Sequence, residues 1–164
     1  MARDTRDTIL VLHWLPEKTG PLLSFWRLLK PHGRLGISTQ LKGDVPELVA
    51  AARATLAEPP FDQHPRPREG ITFRVEAEEL RALLQTTGFH ANRLEVRETQ
   101  ARHTSPEDAL RYMEASSFGN MVGHLPPELR DPARARMRQR FAALAGPDGI
   151  VSTNRRVVAI AERR

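Results

Sequence analysis

Apolar residues first gather in a short run, Ile9 to Leu12, that ends on His13 and Trp14. A brief continuous apolar run of this kind predicts a strand buried in a parallel sheet. Pro16 to Gly20 forms a connection, and Pro21 sits where a first helical turn tolerates proline. Leu22, Leu23, Phe25, Trp26, Leu28 and Leu29 then make a helix with a wide apolar face that must be covered. Lys30-Pro31-His32-Gly33 stops that helix, and Arg34 to Thr39 follows as a second strand with Leu35 and Ile37 apolar. Strand, helix, turn and strand make the unit that builds a parallel pair through a crossover helix. Ligands in such sheets sit beyond the carboxyl ends of the strands, which makes His13 and Trp14 the first candidates for chemistry.

Further along, Asp44 is placed to cap a helix from Pro46 to Leu56 with Leu48, Val49, Ala52 and Leu56 on one side. Pro59, Pro60, Pro65 and Pro67 mark Ala57 to Gly70 as an extended loop. Ile71 to Val75 reads as an extended lead-in to a helix from Glu76 to Thr87, which turns Leu80, Leu83 and Leu84 inward and stops at Gly88. Phe89 and Leu94 to Thr99 alternate as a strand. Ser105, Pro106, Glu107 and Asp108 form a helix start, so Ala109 to Ala115 is helical and Ser116 to Gly123 is a polar turn. Glu128 to Ala145 is a long helix with Leu129, Ala133, Met137, Phe141 and Leu144 on its apolar stripe. Its second stripe, Arg130, Arg134 and Arg138, reads as a solvated face. The last strand, Ile150 to Glu162, puts Val157, Ala159 and Ala161 on one side and Val158 and Ile160 on the other. Met1 to Asp7 is polar and reads as a disordered, frayed terminus.

Composition narrows the classes. A chain of 164 residues, 40% hydrophobic and 27% charged, suits one domain with its own core. The absence of cysteine removes disulfides, thiolate nucleophiles and thiolate metal sites. No apolar run approaches the roughly 20 residues that span a bilayer, so a soluble, cytoplasmic protein is expected. The net charge of +5 is carried by arginine, with only three lysines. Those arginines are interleaved with glutamates and aromatics are only 5%, so nucleic-acid binding is not expected. His13, His32, His64, His90, His103 and His124 show no zinc-ligand spacing, and no G-x-S-x-G elbow supports a hydrolase.

The residues also carry a family likeness. Val11-Leu12-His13-Trp14-Leu15-Pro16-Glu17 and Trp26-Arg27-Leu28-Leu29-Lys30-Pro31-His32-Gly33-Arg34-Leu35 resemble the fourth-to-fifth-strand region of class I S-adenosylmethionine-dependent methyltransferases. The likeness continues in Phe73 to Phe89, in Ser105-Pro106-Glu107-Asp108-Ala109-Leu110 and in Ser116-Ser117-Phe118-Gly119-Asn120, and is greatest to the trans-aconitate and malonyl-carrier O-methyltransferase group. It implies an α/β fold: a partial Rossmann-like methyltransferase sheet, its strands corresponding to the fourth to seventh, with helices on both faces and without the first three βα units. Residues 8–164 would then be the C-terminal portion of a methyltransferase domain. The family's glycine-rich turn, which wraps the methionine end of the cofactor, has no counterpart, because the ten glycines never form G-x-G. S-adenosylmethionine is therefore expected only if the missing N-terminal half is supplied.

What the resemblance implies is methyl transfer to a small-molecule or carrier-bound acceptor, a carboxylate above all, by a truncated or split methyltransferase. The alternative is a non-catalytic remnant that binds a partner chain, or a second copy, through the open edge at Ile9 to Leu12. His32 stands where the family usually has glycine, which histidine's tolerance of the left-handed region allows. The substrate rim would comprise His13, Trp14, Tyr112, Ser116 and Ser117, with no catalytic or metal residue assigned and the cofactor-binding residues unknown. Each has a structural alternative: Trp14 packed under the following helix, His13 capping a backbone group, and Ser116 to Asn120 a helix cap built on Gly119.

Overall fold

The computed structural model describes residues 5–9, 12–65, 72–115 and 121–164. Its first strand, β1, is Thr5–Ile9, and Leu12–Trp14 forms a 3-10 turn; Leu10 and Val11 of the expected strand Ile9 to Leu12 lie outside the described residues. The stretch read as a frayed terminus thus carries strand from Thr5 onward. A ladder is held by backbone groups, which polar residues supply as readily as apolar ones. β1 pairs in parallel with β2 (Arg34–Gln40), Thr5 opposite Arg34 and Ile9 opposite Ile37, with an irregularity between Arg6 and Thr8. The helix between them is α1, Thr19–Leu28.

The chain divides into two units, each with a core of its own. The first comprises Met1–Asp44, Ile71–Glu98 and Arg155–Arg164. Two long strands, β3 (Phe89–His103) and β5 (Gly149–Arg163), contribute to both units, and the sheet order is β1-β2-β5-β3, which leaves β1 terminal. β5 runs antiparallel to β2 with Leu35 opposite Ala161, Ile37 opposite Ala159 and Thr39 opposite Val157. Residues opposite one another share a face, so these six form a continuous surface, each at most 1% exposed. Leu22 of α1, Leu29 just after it, and Leu80 and Leu84 of α3 (Ala77–Thr86) pack into the same core with Leu12 and Val75. On the opposite face of β5, Ile160 is 37% exposed.

Local chemistry sets the ends of these elements. The Glu76 and Glu79 side chains close a capping box at the start of α3, each satisfying a backbone N–H of the other's turn. Gly88 ends it at φ +85°, with the Trp26 indole so close that an added Cβ would stand 2.8 Å from Nε1. His32 occupies the left-handed region at φ 64°, as its place in the turn required. Its backbone N–H donates to the Arg163 carbonyl at 2.9 Å, and its ring stands 3.1 Å from the Glu162 carboxylate.

The second unit comprises Val45–Gly70 and Thr99–Asn154. Its core joins α2 (Glu47–Leu56), α4 (Pro106–Glu114) and α5 (Pro127–Ala142) through Leu48, Ala52, Leu110, Ala133, Met137 and Phe141. Phe61, in a 3-10 turn inside the proline-rich connection, is buried there too, so that connection packs rather than simply extending. Ser105 caps α4 by accepting the Asp108 N–H at 3.1 Å, and the helix starts at Pro106, as that helix start predicts. Asp44 does not cap α2: its carboxylate instead accepts the Arg155 backbone N–H and side chain in the first unit. α5 ends at Ala142 rather than Ala145, which leaves Leu144 beyond the helix and 39% exposed. A two-residue strand, β4 (Ala145–Gly146), then pairs with Gly149 and Ile150.

The arginine stripe of α5 is not a solvated face. Arg134 binds Glu114 at 2.8 Å and Asp131 at 3.0 Å, Arg138 stands 2.5 Å from Glu107, and Arg130 donates to the carbonyls of Leu125 and Gly123. Glu107 and Glu114 belong to α4, so the stripe lines the α4–α5 seam. Arg136 and Arg140 both reach Glu58, just past the end of α2. A sequence window cannot show this, because the partners lie far along the chain from α5.

Candidate functional site

The 3-10 turn Leu12–Trp14 carries the candidate residues past the carboxyl end of β1. Leu12 is wholly buried in the first core, and this anchor fixes the His13 backbone behind it. The His13 carbonyl accepts the Phe73 N–H at 2.6 Å, tying the turn to the extended segment that leads into α3. Its ring is 8% exposed, with Nδ1 3.5 Å from the Thr39 hydroxyl at the end of β2 and the Trp14 ring tilted against it at 5.0 Å. Both side chains therefore stand where an open α/β sheet places its ligands.

Three cations act on the charge of this imidazole. Lys18, immediately before α1, is 8% exposed, donates to the Leu15 carbonyl at 3.0 Å and lies over the Phe73 ring. Arg74 is oriented by the Thr72 hydroxyl at 3.2 Å and by the Asp44 carbonyl. Arg156 belongs to β5, opposite Gln40 and one residue from the Thr39–Val157 pair. Burial first, and then the charges of Arg74, Arg156 and Lys18, hold His13 below the ordinary histidine range. The imidazole is thus neutral at physiological pH, one ring nitrogen able to donate and the other to accept. The arrangement can take up negative charge and hydrogen-bond it.

Sequence reasoning found His13 and Trp14 and missed Lys18, Thr39, Arg74 and Arg156. Thr39 was within reach, as the last residue of the strand expected beside that of His13. Arg156 was not, since only the β2–β5 register brings it to this end of the sheet.

Tyr112 belongs to the second unit, and Ser116 and Ser117 lie outside the described residues. Tyr112 is 54% exposed and its ring packs on His103 at 4.8 Å. His103 is buried, its Nδ1 3.7 Å from the Asp108 carboxylate. The Arg111 guanidinium, followed by the Thr104 N–H, holds that carboxyl below its usual range, so Arg111 pairs within its own helix. Among the described residues no group of three or more His, Asp or Glu side chains could hold a metal ion. No described helix is long and apolar enough to cross a membrane.

No family model and no curated protein matches the sequence. Solved structures do. A Bacillus halodurans protein described as a methyltransferase superposes with a TM-score of 0.50 at 13% identity, covering 95% of this chain and 62% of its own. The fold is that of the class I methyltransferases. The YcgJ protein of Bacillus subtilis aligns at a TM-score of 0.47 and 13% identity over 100% of this chain and 66% of its own. A sarcosine dimethylglycine methyltransferase of Galdieria sulphuraria aligns at 0.41 and 15% identity over 98% and 54%. The chain thus spans about six-tenths of the length of the Bacillus halodurans methyltransferase-fold protein.

Methyltransferases use S-adenosylmethionine, so the glycines become a test of fit. A cofactor turn needs backbone that a ligand can approach closely. Gly33, Gly88 and Gly149 are instead hemmed in by the chain itself, an added Cβ meeting Lys30 O at 2.9 Å, Trp26 Nε1 at 2.8 Å and His103 O at 2.6 Å. Gly43 lies in open space with no second glycine two residues away. These four glycines do not form such a turn.

Proposed function

We propose that this chain supplies the acceptor side of a methyltransferase, positioning a small-molecule or carrier-bound carboxylate acceptor, with the cofactor half supplied by further sequence or a separate chain. The observation that carries this reading is the placement of buried His13, hydrogen-bonded towards Thr39 and kept neutral, past the carboxyl end of β1 in a methyltransferase fold. A carboxylate acceptor is already an anion, so the site needs to bind and orient it rather than remove a proton; orientation is where intramolecular geometry contributes most. His13 can hydrogen-bond the acceptor without adding charge, and Trp14 offers it an apolar wall.

Calorimetric titration of the chain with S-adenosylmethionine tests the division of labour. No heat of binding in the micromolar range is expected, and micromolar binding would overturn it. Mixing in a protein that supplies a strand-E/D-x-G-x-G-x-G segment should then restore both binding and transfer of methyl to carboxylates.

A second reading, a partner-binding remnant without catalysis, is favoured by one observation: β1 is the terminal strand of the sheet. A free strand edge is a template for pairing with another chain. Sedimentation across a concentration series separates the two, because the remnant self-associates or captures its partner while the complemented mixture stays without methyl transfer.

A further inference from the structure

Resting on that reading of the site, we propose that Thr39 makes His13 a fixed hydrogen-bond donor: its hydroxyl donates to Nδ1, which confines the ring proton to Nε2 and presents Nε2–H to the acceptor. Thr39, next to last in β2, is 1% exposed, and its Oγ1 stands 3.5 Å from Nδ1 of His13, itself 8% exposed. Both residues are held by backbone with anchors of its own. Thr39 lies opposite Val157 in the β2–β5 ladder, and the His13 carbonyl accepts the Phe73 N–H.

The number of protons decides the direction of the bond. A hydroxyl carries one hydrogen and two lone pairs, and a neutral imidazole carries one N–H and one bare nitrogen. Among the described residues the contact with Nδ1 is the one side-chain hydrogen bond of Thr39, and at 1% exposure solvent offers the hydroxyl no alternative. If Nδ1 held the ring proton, it would donate to Oγ1 and leave the hydroxyl hydrogen buried without an acceptor. With Nδ1 bare, the hydroxyl donates to it and only lone pairs are left over. A buried donor without a partner is the costlier outcome. The ring proton therefore sits on Nε2, which the geometry of the imidazole points away from Thr39.

This tautomer has a consequence for what the site accepts. On the Nε2 side the ring offers a hydrogen and no lone pair, so it donates to an oxygen and does not take a proton from the acceptor. A carbonyl or an oxyanion is accommodated there, whereas a hydroxyl or amine hydrogen pointed at the same place is opposed. Donation from Nε2 also makes Nδ1 a better acceptor, so the long 3.5 Å contact should tighten when the acceptor is in place. Thr39 acts through His13 and is a positioning residue.

The test uses the whole chain without cofactor or acceptor, so its failure is separate from failure of the methyltransferase reading. Long-range proton–nitrogen NMR of the His13 ring, at a pH where the ring is neutral, should show a single tautomer protonated at Nε2. Thr39→Val removes the hydroxyl and keeps a branched side chain suited to a strand. It should convert the single form into a mixture of both tautomers and raise the pH at which His13 titrates, because a donor to bare Nδ1 stabilises the neutral ring alone. Thr39→Ser, which keeps the hydroxyl, should restore both properties. The reverse bond makes the reverse forecast: a Thr39 that accepted from Nδ1–H would favour the protonated ring, and its loss would lower the titration. If Thr39→Val fails to fold by circular dichroism, Thr39→Ala, which also lacks the hydroxyl, takes its place. A parent ring protonated at Nδ1, a titration that falls or stays where it was when the hydroxyl is removed, or a Thr39→Ser variant that behaves like Thr39→Val would each overturn the proposal.

Discussion

His13 is a histidine that its surroundings keep uncharged, and that has a consequence for pH. Burial, then Arg74, Arg156 and Lys18, lower its folded-state pKa below its unfolded value. Between those two values the unfolded chain binds more protons than the folded one, so stability rises with pH through that window and is lost as pH falls through it. The window lies below about pH 6.5, the ordinary histidine value. His13→Gln should flatten this part of the profile, measured as urea midpoints from pH 5 to 7.5, roughly the range in which histidine titrates. Two glycines give a second residue-scale comparison. Both Gly88 and Gly149 have φ +85°, but an added Cβ meets the movable Trp26 indole at Gly88 and the fixed His103 backbone carbonyl at Gly149. Gly88→Ala should therefore cost about 1–2 kcal/mol, the left-handed penalty alone, and Gly149→Ala more than that. Chemical denaturation of the pair checks the order. The need for glycine or a tolerant residue at such turns was legible in the sequence, because helix stops are written in a few adjacent residues; His32 at φ 64° is the clearest case. The cations around His13 were not, because only tertiary pairing assembles them.

Elements differ in the same way. The start of α4 could be read from Ser105 and Pro106 because a cap is a bond over three residues, and Ser105→Ala should cost about 1 kcal/mol in thermal or urea unfolding. α5 carries a proline, Pro132, well inside the helix and on its exposed side. Proline there removes a backbone donor and crowds the preceding turn, whereas its stiffness in the unfolded chain offsets part of the loss. Pro132→Ala should thus stabilise the protein by about 2 kcal/mol, seen as a higher urea midpoint with an unchanged slope. β3 was misjudged in length for one reason. A strand continues as far as its partner does, and the apolar pattern marks only the buried part of it: β3 runs from Phe89 to His103 although alternation is visible only from Leu94 to Thr99. The arginines of α5 show the same limit, since periodicity identified the stripe but not Glu58, Glu107 and Glu114 as its partners.

At the scale of the whole molecule, the high arginine content has two separate uses. On α5 it is matched by carboxylates, which disposes of those charges as a general basic surface. Around His13 the charges of Arg74 and Arg156 act, after burial, to keep the imidazole neutral. The α/β order and the methyltransferase resemblance were legible because the apolar periodicity and the turn after α1 are local signals. The division into two cores was not, because β3 and β5 are single strands that contribute to both.

The terminal position of β1 should also be written into its proton exchange. Along a parallel edge strand, successive amides alternate between pointing at the neighbouring strand and pointing away from it. Amides of Thr5–Ile9 that face β2 should exchange slowly and those that face outward should exchange at the rate of open chain, a two-residue rhythm broken at the irregularity between Arg6 and Thr8. Addition of a chain that completes the sheet should slow the fast set alone, turning the rhythm into uniform protection. Amide exchange followed by NMR would thus record, residue by residue, whether that edge has found its complement.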